Sequence, residues 1–318
     1  MRKTLIFINY NIVIIIFLLL VAELAVRIFV PHIKTQGTTK GLFVDSLYYA
    51  SHGLKPLSAG KSNDASVRVD KYGFREYSVS IDTSKGSWLF LGDSVTFGIG
   101  VEADSTFAGI AQRRTNSTNI LNPSASGYSI DNYYDVFKYF VLENKYDLKI
   151  TRVSIFWCLN DIYLNMPDFK MPGGKIRHLF SDILLFMRIH SKLYYFAKTL
   201  LFDRSKSYFL FDKSFYHKNN AEFQHAIKRI VDVYDLCSER EIPFDLVLLP
   251  YEYQLRKGDF APQNLMIKSL KDRHIVPLNP FAELSSRNCH SKSYYLYGDG
   301  VHFSKYGHKY IAEFLSDH

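Results

Sequence analysis

Cysteine is scarce in this 318-residue chain: Cys158, Cys237 and Cys289 lie far apart, are odd in number and form no CxxC or CxxH pair. That spacing supplies neither a zinc ligand set nor a dithiol redox centre, so no metal and no cofactor is expected. The three read as packed thiols; a Cys237–Cys289 disulfide would require an exported domain and a Cα approach that sequence does not give. Long runs of one charge are missing as well. The formal charge of +8 is dispersed along the chain, and without a zinc-finger spacing or an RNA-binding signature it gives nucleic-acid binding no support. No internal repeat or low-complexity tract interrupts the sequence.

What is abundant is aromatic: 23 Tyr and 25 Phe. Between Tyr163 and Asn220 these rings are interleaved with ten Lys/Arg against four Asp, a composition suited to a membrane or a polymer surface. The length accommodates one core of roughly 200 to 250 residues with additions, or two small ones.

One hydrophobic run is long. After Arg2 and Lys3 the stretch Thr4 to Ala22 carries no charge, and its 19 positions, at 1.5 Å each, reach about 28 Å, close to the thickness of a bilayer core. Cleavage after Ala25 would put Glu23 at the −3 position, and cleavage after Ala22 would put Leu20 there. Neither is small, so an uncleaved anchor over residues 1–30 is expected. For orientation, Arg27, Lys34 and Lys40 compete with Arg2 and Lys3 in the positive-inside count.

Residues 31–66 read as a stalk of irregular structure, and the pattern tightens from Val67. Apolar runs at Trp88–Leu91, Ile120–Asn122, Val153–Trp157, Phe244–Leu249 and Ile275–Leu278 have strand length. Helical spacing marks Ser105–Arg114, Asn132–Asn144, Glu222–Arg240, Gln263–Asp272 and Ser304–Leu315. This alternation predicts an α/β three-layer sandwich around a five-stranded parallel sheet over 67–318, with 163–220 inserted after the third strand.

In "WLFLGDSVTFGIGV" (88–101) an apolar run ends on Asp93-Ser94, where ligands of parallel sheets bind. The same residues also read as a turn and a helix N-cap. Near the other end, "YGDGVHF" sets Asp299 three residues before His302. On a turn that spacing brings a carboxylate to one imidazole nitrogen and frees the other as a general base; alternatively Asp299 caps the last helix and His302 packs. After the second and third runs come "NPSASGYS" (122–129) and "FWCLNDIY" (156–163). Gly127 allows close backbone approach and Asn160 offers a neutral donor; each alone is ordinary turn chemistry. All four stretches converge on one sheet edge, which would bring a Ser, a His, an Asp and oxyanion donors into one crevice.

This order and spacing resembles the SGNH (GDSL-type) hydrolase family over roughly Val67 to the carboxyl terminus. Its four blocks carry Ser in Gly-Asp-Ser, a Gly, an Asn in Gly-x-Asn-Asp, and Asp-x-x-His. The resemblance implies a flavodoxin-like fold, Ser94 as nucleophile, His302 as base and then acid, Asp299 as its partner, and an oxyanion hole of the Ser94 and Gly127 amides with the Asn160 side chain. Cys158 departs from the pattern, standing where the block has glycine. Upstream, "VDKYGFRE" (69–76) is similar to a Gly-Phe-Arg lead-in of membrane-anchored members linked to cell-surface polysaccharides.

Two competing patterns lack context. Gly98-Ile-Gly100-Val-Glu-Ala103 has the form GxGxxA, but its strand ends seven residues earlier, at Leu91, and no acid follows at the ribose distance. His302 and His308 lack helical i, i+4 spacing and further ligands, and Asn116-Ser-Thr118 is a bare glycosylation sequon. The expected activity is a single-pass, extracytoplasmic serine esterase or O-acyltransferase acting on an ester-bearing glycan or a small acyl ester, O-acetyl groups first. A lipid esterase and a non-catalytic scaffold of polysaccharide assembly are the alternatives.

Overall fold

A computed structural model describes residues 2–35, 41–115, 117–164, 175–282 and 290–317; Asn116 and Cys289 lie outside them. The first element, α1 (Arg2–Phe29), contains Ile6–Phe29, 24 residues of mean hydropathy 2.9, long and apolar enough to cross a membrane. Residues 6–10 and 12–21 are exposed, whereas Ala22, Glu23, Ala25 and Val26 face the rest of the protein. Three- and four-residue spacing puts those positions on one helix side.

Two antiparallel hairpins follow: β1 (Phe43–Tyr48) with β2 (Ser51–Leu54), and β3 (Ala59–Ser62) with β4 (Ala65–Arg68). This corrects the expected irregular stalk over 31–66. Asn63 and Asp64 both take left-handed φ, 45° and 67°, as a two-residue hairpin turn demands, and β4 alternates buried with exposed residues. Leu42, Leu54, Val67 and Val69 form a small core with Phe97, and Ile33 and Thr35 are buried as well. The segment after α1 is part of the domain's wall.

The main sheet has four parallel strands, β5 (Gly86–Gly92), β6 (Thr118–Leu121), β7 (Ile150–Trp157) and β8 (Phe244–Leu248), in the order β6-β5-β7-β8. The fifth expected strand, Ile275–Leu278, shrinks to one parallel bridge between Val247 and Leu278. Leu278 N–H donates to Leu246 O at 2.7 Å and Leu278 O accepts from Leu248 N–H at 2.8 Å. Pro277 and Pro280 flank it, and proline has no N–H with which to extend a ladder.

The helices are α2 (Ser94–Phe97), α3 (Phe107–Arg114), α4 (Ile130–Phe137), α5 (Lys175–His190), α6 (Lys192–Leu201), α7 (Arg204–Lys213), α8 (Ala221–Ser238), α9 (Glu252–Lys257), α10 (Ala261–Leu270) and α11 (Lys305–Ser316). β5 connects through α3 to β6 on one side, and β6 through α4 to β7 on the other. Right-handed crossovers in opposite directions put α3 and α4 on opposite faces. α11 packs with α3, and α8 packs with α4 and α10. Phe90 and Phe156 meet Phe107 of α3 at ring distances of 5.9 and 4.8 Å, which seals that face of the core. Reversal of the strand order about β5 opens a crevice beyond the carboxyl ends of β5 and β7.

Candidate active site

Ser94 opens α2 directly beyond β5. A Cβ on Gly92 would stand 2.0 Å from Thr96 Oγ1, so glycine is what lets the strand turn this sharply into the helix. Asp93 Oδ1 accepts from Val95 N–H at 2.8 Å and caps α2. The Ser94 amide belongs to the first turn, whose N–H groups have no intrahelical acceptor. At the other end Gly98, φ 83°, stops the helix. Arg75, buried, donates through Nη1 to the carbonyls of Phe97 (2.8 Å) and Gly98 (2.9 Å), and through Nη2 to those of Val101 (2.5 Å) and Ser66 (3.3 Å). The Gly-Phe-Arg lead-in is thus a brace for the serine's helix. Gly98 and Gly100, the glycines of the GxGxxA pattern, are left-handed turn residues after it.

The turn before α11 folds Asp299 back on its own chain. Asp299 Oδ1 accepts from the amides of Val301 (3.0 Å) and His302 (2.8 Å) and from His302 Nδ1 (2.8 Å). His302 Nε2 then lies 2.9 Å from Ser94 Oγ. Arg204 Nη1 stands 3.4 Å from the other oxygen, Asp299 Oδ2. Burial opposes the charge on Asp299, but His302 and Arg204 overcome it and hold the carboxyl far below the usual carboxylate range. Burial likewise lowers His302, and the Asp299 charge and hydrogen bond outweigh it, leaving the imidazole above its ordinary value. The histidine is therefore a base strengthened by an ionised partner.

Asn160 follows β7. Its Nδ2 donates to Asp93 Oδ2 at 3.0 Å and its Oδ1 accepts from Tyr251 O–H at 2.9 Å. A flipped amide would set Oδ1 against the Asp93 carboxylate, so the orientation is fixed and the second Nδ2 hydrogen remains for a ligand. Cys158 does not disturb this. Its φ of −105° and ψ of 161° are extended, a conformation open to any residue, and its amide donates to Asp161 Oδ2 at 2.6 Å. Asp161 itself is buried beneath the loop, where burial and then the neighbouring Asp93 raise its carboxyl well above the ordinary value. Gly127, at φ 84°, brings its backbone to the same edge.

Ser94, Gly127, Asn160, Asp299 and His302 all line one pocket of about 360 Å³. Sequence reasoning missed the rest of its wall. Tyr195, Arg204, Tyr208 and Asp212 come from α6 and α7 of the insertion, and Asn63 from the β3–β4 turn. Tyr251 also lines it, and follows β8 at the same sheet edge as the other site residues, so the rule that located Ser94 could have located it. Its hydroxyl also lies 2.6 Å from Asp212 Oδ2, which shares the hydroxyl's one proton with Asn160 Oδ1. Tyr163 donates to the other Asp212 oxygen. Burial pushes the Asp212 carboxyl up to about 6 despite these two donors. His308 stands apart: Nδ1 accepts from Phe107 N–H at 3.2 Å, and burial, followed by the Arg75 charge, pushes the ring down to about 3.

No family model and no curated protein matches the sequence. Similar solved structures include a lipolytic protein of the G-D-S-L family from Veillonella parvula, 12% identical over 73% of this chain and 97% of that one, with a TM-score of 0.43. An acetyl xylan esterase is 15% identical over 73% and 98%, with a TM-score of 0.44. A lipase/acylhydrolase from Enterococcus faecalis is 13% identical over 73% and 93%, with a TM-score of 0.42.

Proposed function

We propose that this chain is a membrane-anchored serine hydrolase of the SGNH type, cleaving or transferring an ester-linked acyl group through an acyl-enzyme outside the cytoplasm. The observation that carries the reading is the continuous relay from Ser94 through His302 to Asp299 at the switch-point crevice, with Gly127 and Asn160 lining the same pocket. Ser94 Oγ attacks the ester carbonyl carbon while His302 Nε2 takes its proton. Asp299 stabilises the imidazolium. The charge on the carbonyl oxygen is met by the Ser94 and Gly127 amides and the free Asn160 Nδ2 hydrogen. His302 then protonates the departing alkoxide, and water or an acceptor hydroxyl, deprotonated by the same nitrogen, releases the acyl group.

A flavodoxin-like sheet is favoured by the order of β5 to β8 and by the Leu278 bridge on the outer side of β8. An O-acetyl group on a glycan is the preferred substrate: the pocket is small, and Tyr195, Tyr208 and Arg204 at its wall suit the faces and hydroxyls of a sugar. An uncleaved anchor is supported by the docking of Glu23 and Val26 on the domain. Turnover of acetyl, butyryl and octanoyl 4-nitrophenyl esters and of an acetylated oligosaccharide panel tests the reading. Acetyl preference and loss of turnover in Ser94→Ala are expected; undiminished turnover by Ser94→Ala would remove its basis.

A further inference from the structure

The insertion carries an apolar face that the chemistry leaves unused. On α5, Ile183, Leu185 and Phe186 are 54, 50 and 63% exposed, and Ile183 and Phe186, three residues apart, share one side of the helix. The helix ends at a junction held by the anchor. Glu23 of α1 accepts from Ser191 Oγ (2.8 Å), Lys192 N–H (3.0 Å) and Leu193 N–H (2.9 Å), the opening turn of α6. Arg27 Nη2 donates to His190 O at 2.7 Å, and Lys192 Nζ to Pro31 O at 3.3 Å.

These bonds fix a height. The uncharged stretch of α1 ends at Ala22, so the edge of the hydrocarbon falls beside Glu23, because an ionised carboxylate does not enter it. Phe186 precedes Ser191 by five residues. At 1.5 Å per residue it lies within about 8 Å of the junction along the helix, whichever way α5 points. The interfacial layer of a bilayer leaflet has about that thickness, and an apolar helix face sinks about 5–10 Å into the boundary between headgroups and acyl chains.

We propose that α5 is an interfacial helix whose Ile183–Phe186 face enters the bilayer surface beside α1, holding the pocket against the membrane. The proposal rests on the anchor reading above. It means that the substrate is met at the bilayer surface: α6, capped by Glu23, is the helix that carries Tyr195 into the pocket wall. The anchor and the pocket are one helix apart.

The test uses the full chain reconstituted into phosphatidylcholine vesicles brominated either high or low on the acyl chain. Four variants add one tryptophan each: Phe186→Trp, Ile183→Trp, Ile15→Trp in the middle of α1, and Val276→Trp. Val276 is 81% exposed and lies just before Leu278, at the amino-terminal edge of the sheet. Emission is read as the difference from the parent. Phe186→Trp should be quenched at least about twofold more by the high bromines than by the low ones, Ile15→Trp by the low ones, and Val276→Trp by neither. Ile183→Trp should repeat the Phe186→Trp result, which guards against a local defect. Quenching at 15 without quenching at 183 or 186 would overturn the interfacial helix alone. In that case crosslinking between copies through position 186 would assign the face to self-association. No quenching at 15 would overturn the anchor and the proposal together.

Discussion

Replacing Asn160 by alanine removes one donor and little else. The side chain makes two hydrogen bonds, to Asp93 Oδ2 at 3.0 Å and from Tyr251 O–H at 2.9 Å. Both partners keep another contact: Ser94 Oγ lies 3.1 Å from the same Asp93 oxygen, and Asp212 Oδ2 lies 2.6 Å from the Tyr251 hydroxyl. The Tyr251 hydroxyl is not orphaned, but the one Ser94 proton is shared with His302, so Asp93 Oδ2 is left partly unsatisfied and the stability cost should be about 1–3 kcal/mol. The loss falls on the transition state. A donor aimed at a developing oxyanion is worth about 3 kcal/mol, a factor of about 10² to 10³ in kcat, while KM hardly moves because the ground-state carbonyl uses the donor weakly. Cys158→Gly is the matching control. The loop needs no glycine, so the rate should hold while stability falls by about 2 kcal/mol from backbone entropy and lost thiol burial. Steady-state kinetics on 4-nitrophenyl acetate, with thermal unfolding of each variant, measures both. A kcat within about threefold of the parent for Asn160→Ala, with the loss in KM, would refute the three-donor hole.

Tyr251→Phe removes one of the two hydrogen bonds that hold the Asn160 amide and should lower kcat about tenfold with KM unchanged; equal kcat would show that Asp93 alone orients it. Activity requires neutral His302, whose folded value is raised, so kcat/KM should rise with pH through an apparent pKa above the free imidazole's value of about 6.5. Arg204 is a cation that lowers His302, so Arg204→Gln should move that limb to higher pH, and movement to lower pH would contradict the assignment. Arg75→Met strands four carbonyl acceptors around a buried position and should cost about 3 kcal/mol in urea unfolding; a change under about 0.5 kcal/mol would show the brace to be idle.

The residues expected to do chemistry were legible because they follow apolar runs, and a parallel sheet collects the carboxyl ends of its strands at one edge. Ser94, Asn160 and Gly127 are placed by that rule, and Asp299 with His302 by a short turn. What stayed hidden depends on contacts distant in sequence. Arg204 reaches Asp299 from an insertion whose composition says only that it is aromatic and basic. Asn63 enters the pocket from a hairpin whose strands are four residues long, too short for period-two alternation to stand out in a segment rich in Ser, Lys and Gly. The Asn63-Asp64 pair was the available signal for it. In the sequence Glu23 is only an unsuitable −3 residue for cleavage; its role as a cap for α6 needs the chain to fold back to Lys192, 169 positions away. Leu278 shows the reverse error, an apolar run with strand length whose prolines allow a single bridge.

The central claim is that Ser94 is a nucleophile activated by His302 and Asp299, and covalent labelling reads it most directly. Full-length protein treated with a fluorophosphonate should carry one adduct, mapped by peptide mass to the segment containing Ser94. Labelling should vanish in Ser94→Ala and slow by about three to four orders of magnitude in His302→Ala, since the hydroxyl then has no base. An adduct on another residue, or labelling of His302→Ala at the parent rate, would contradict the account.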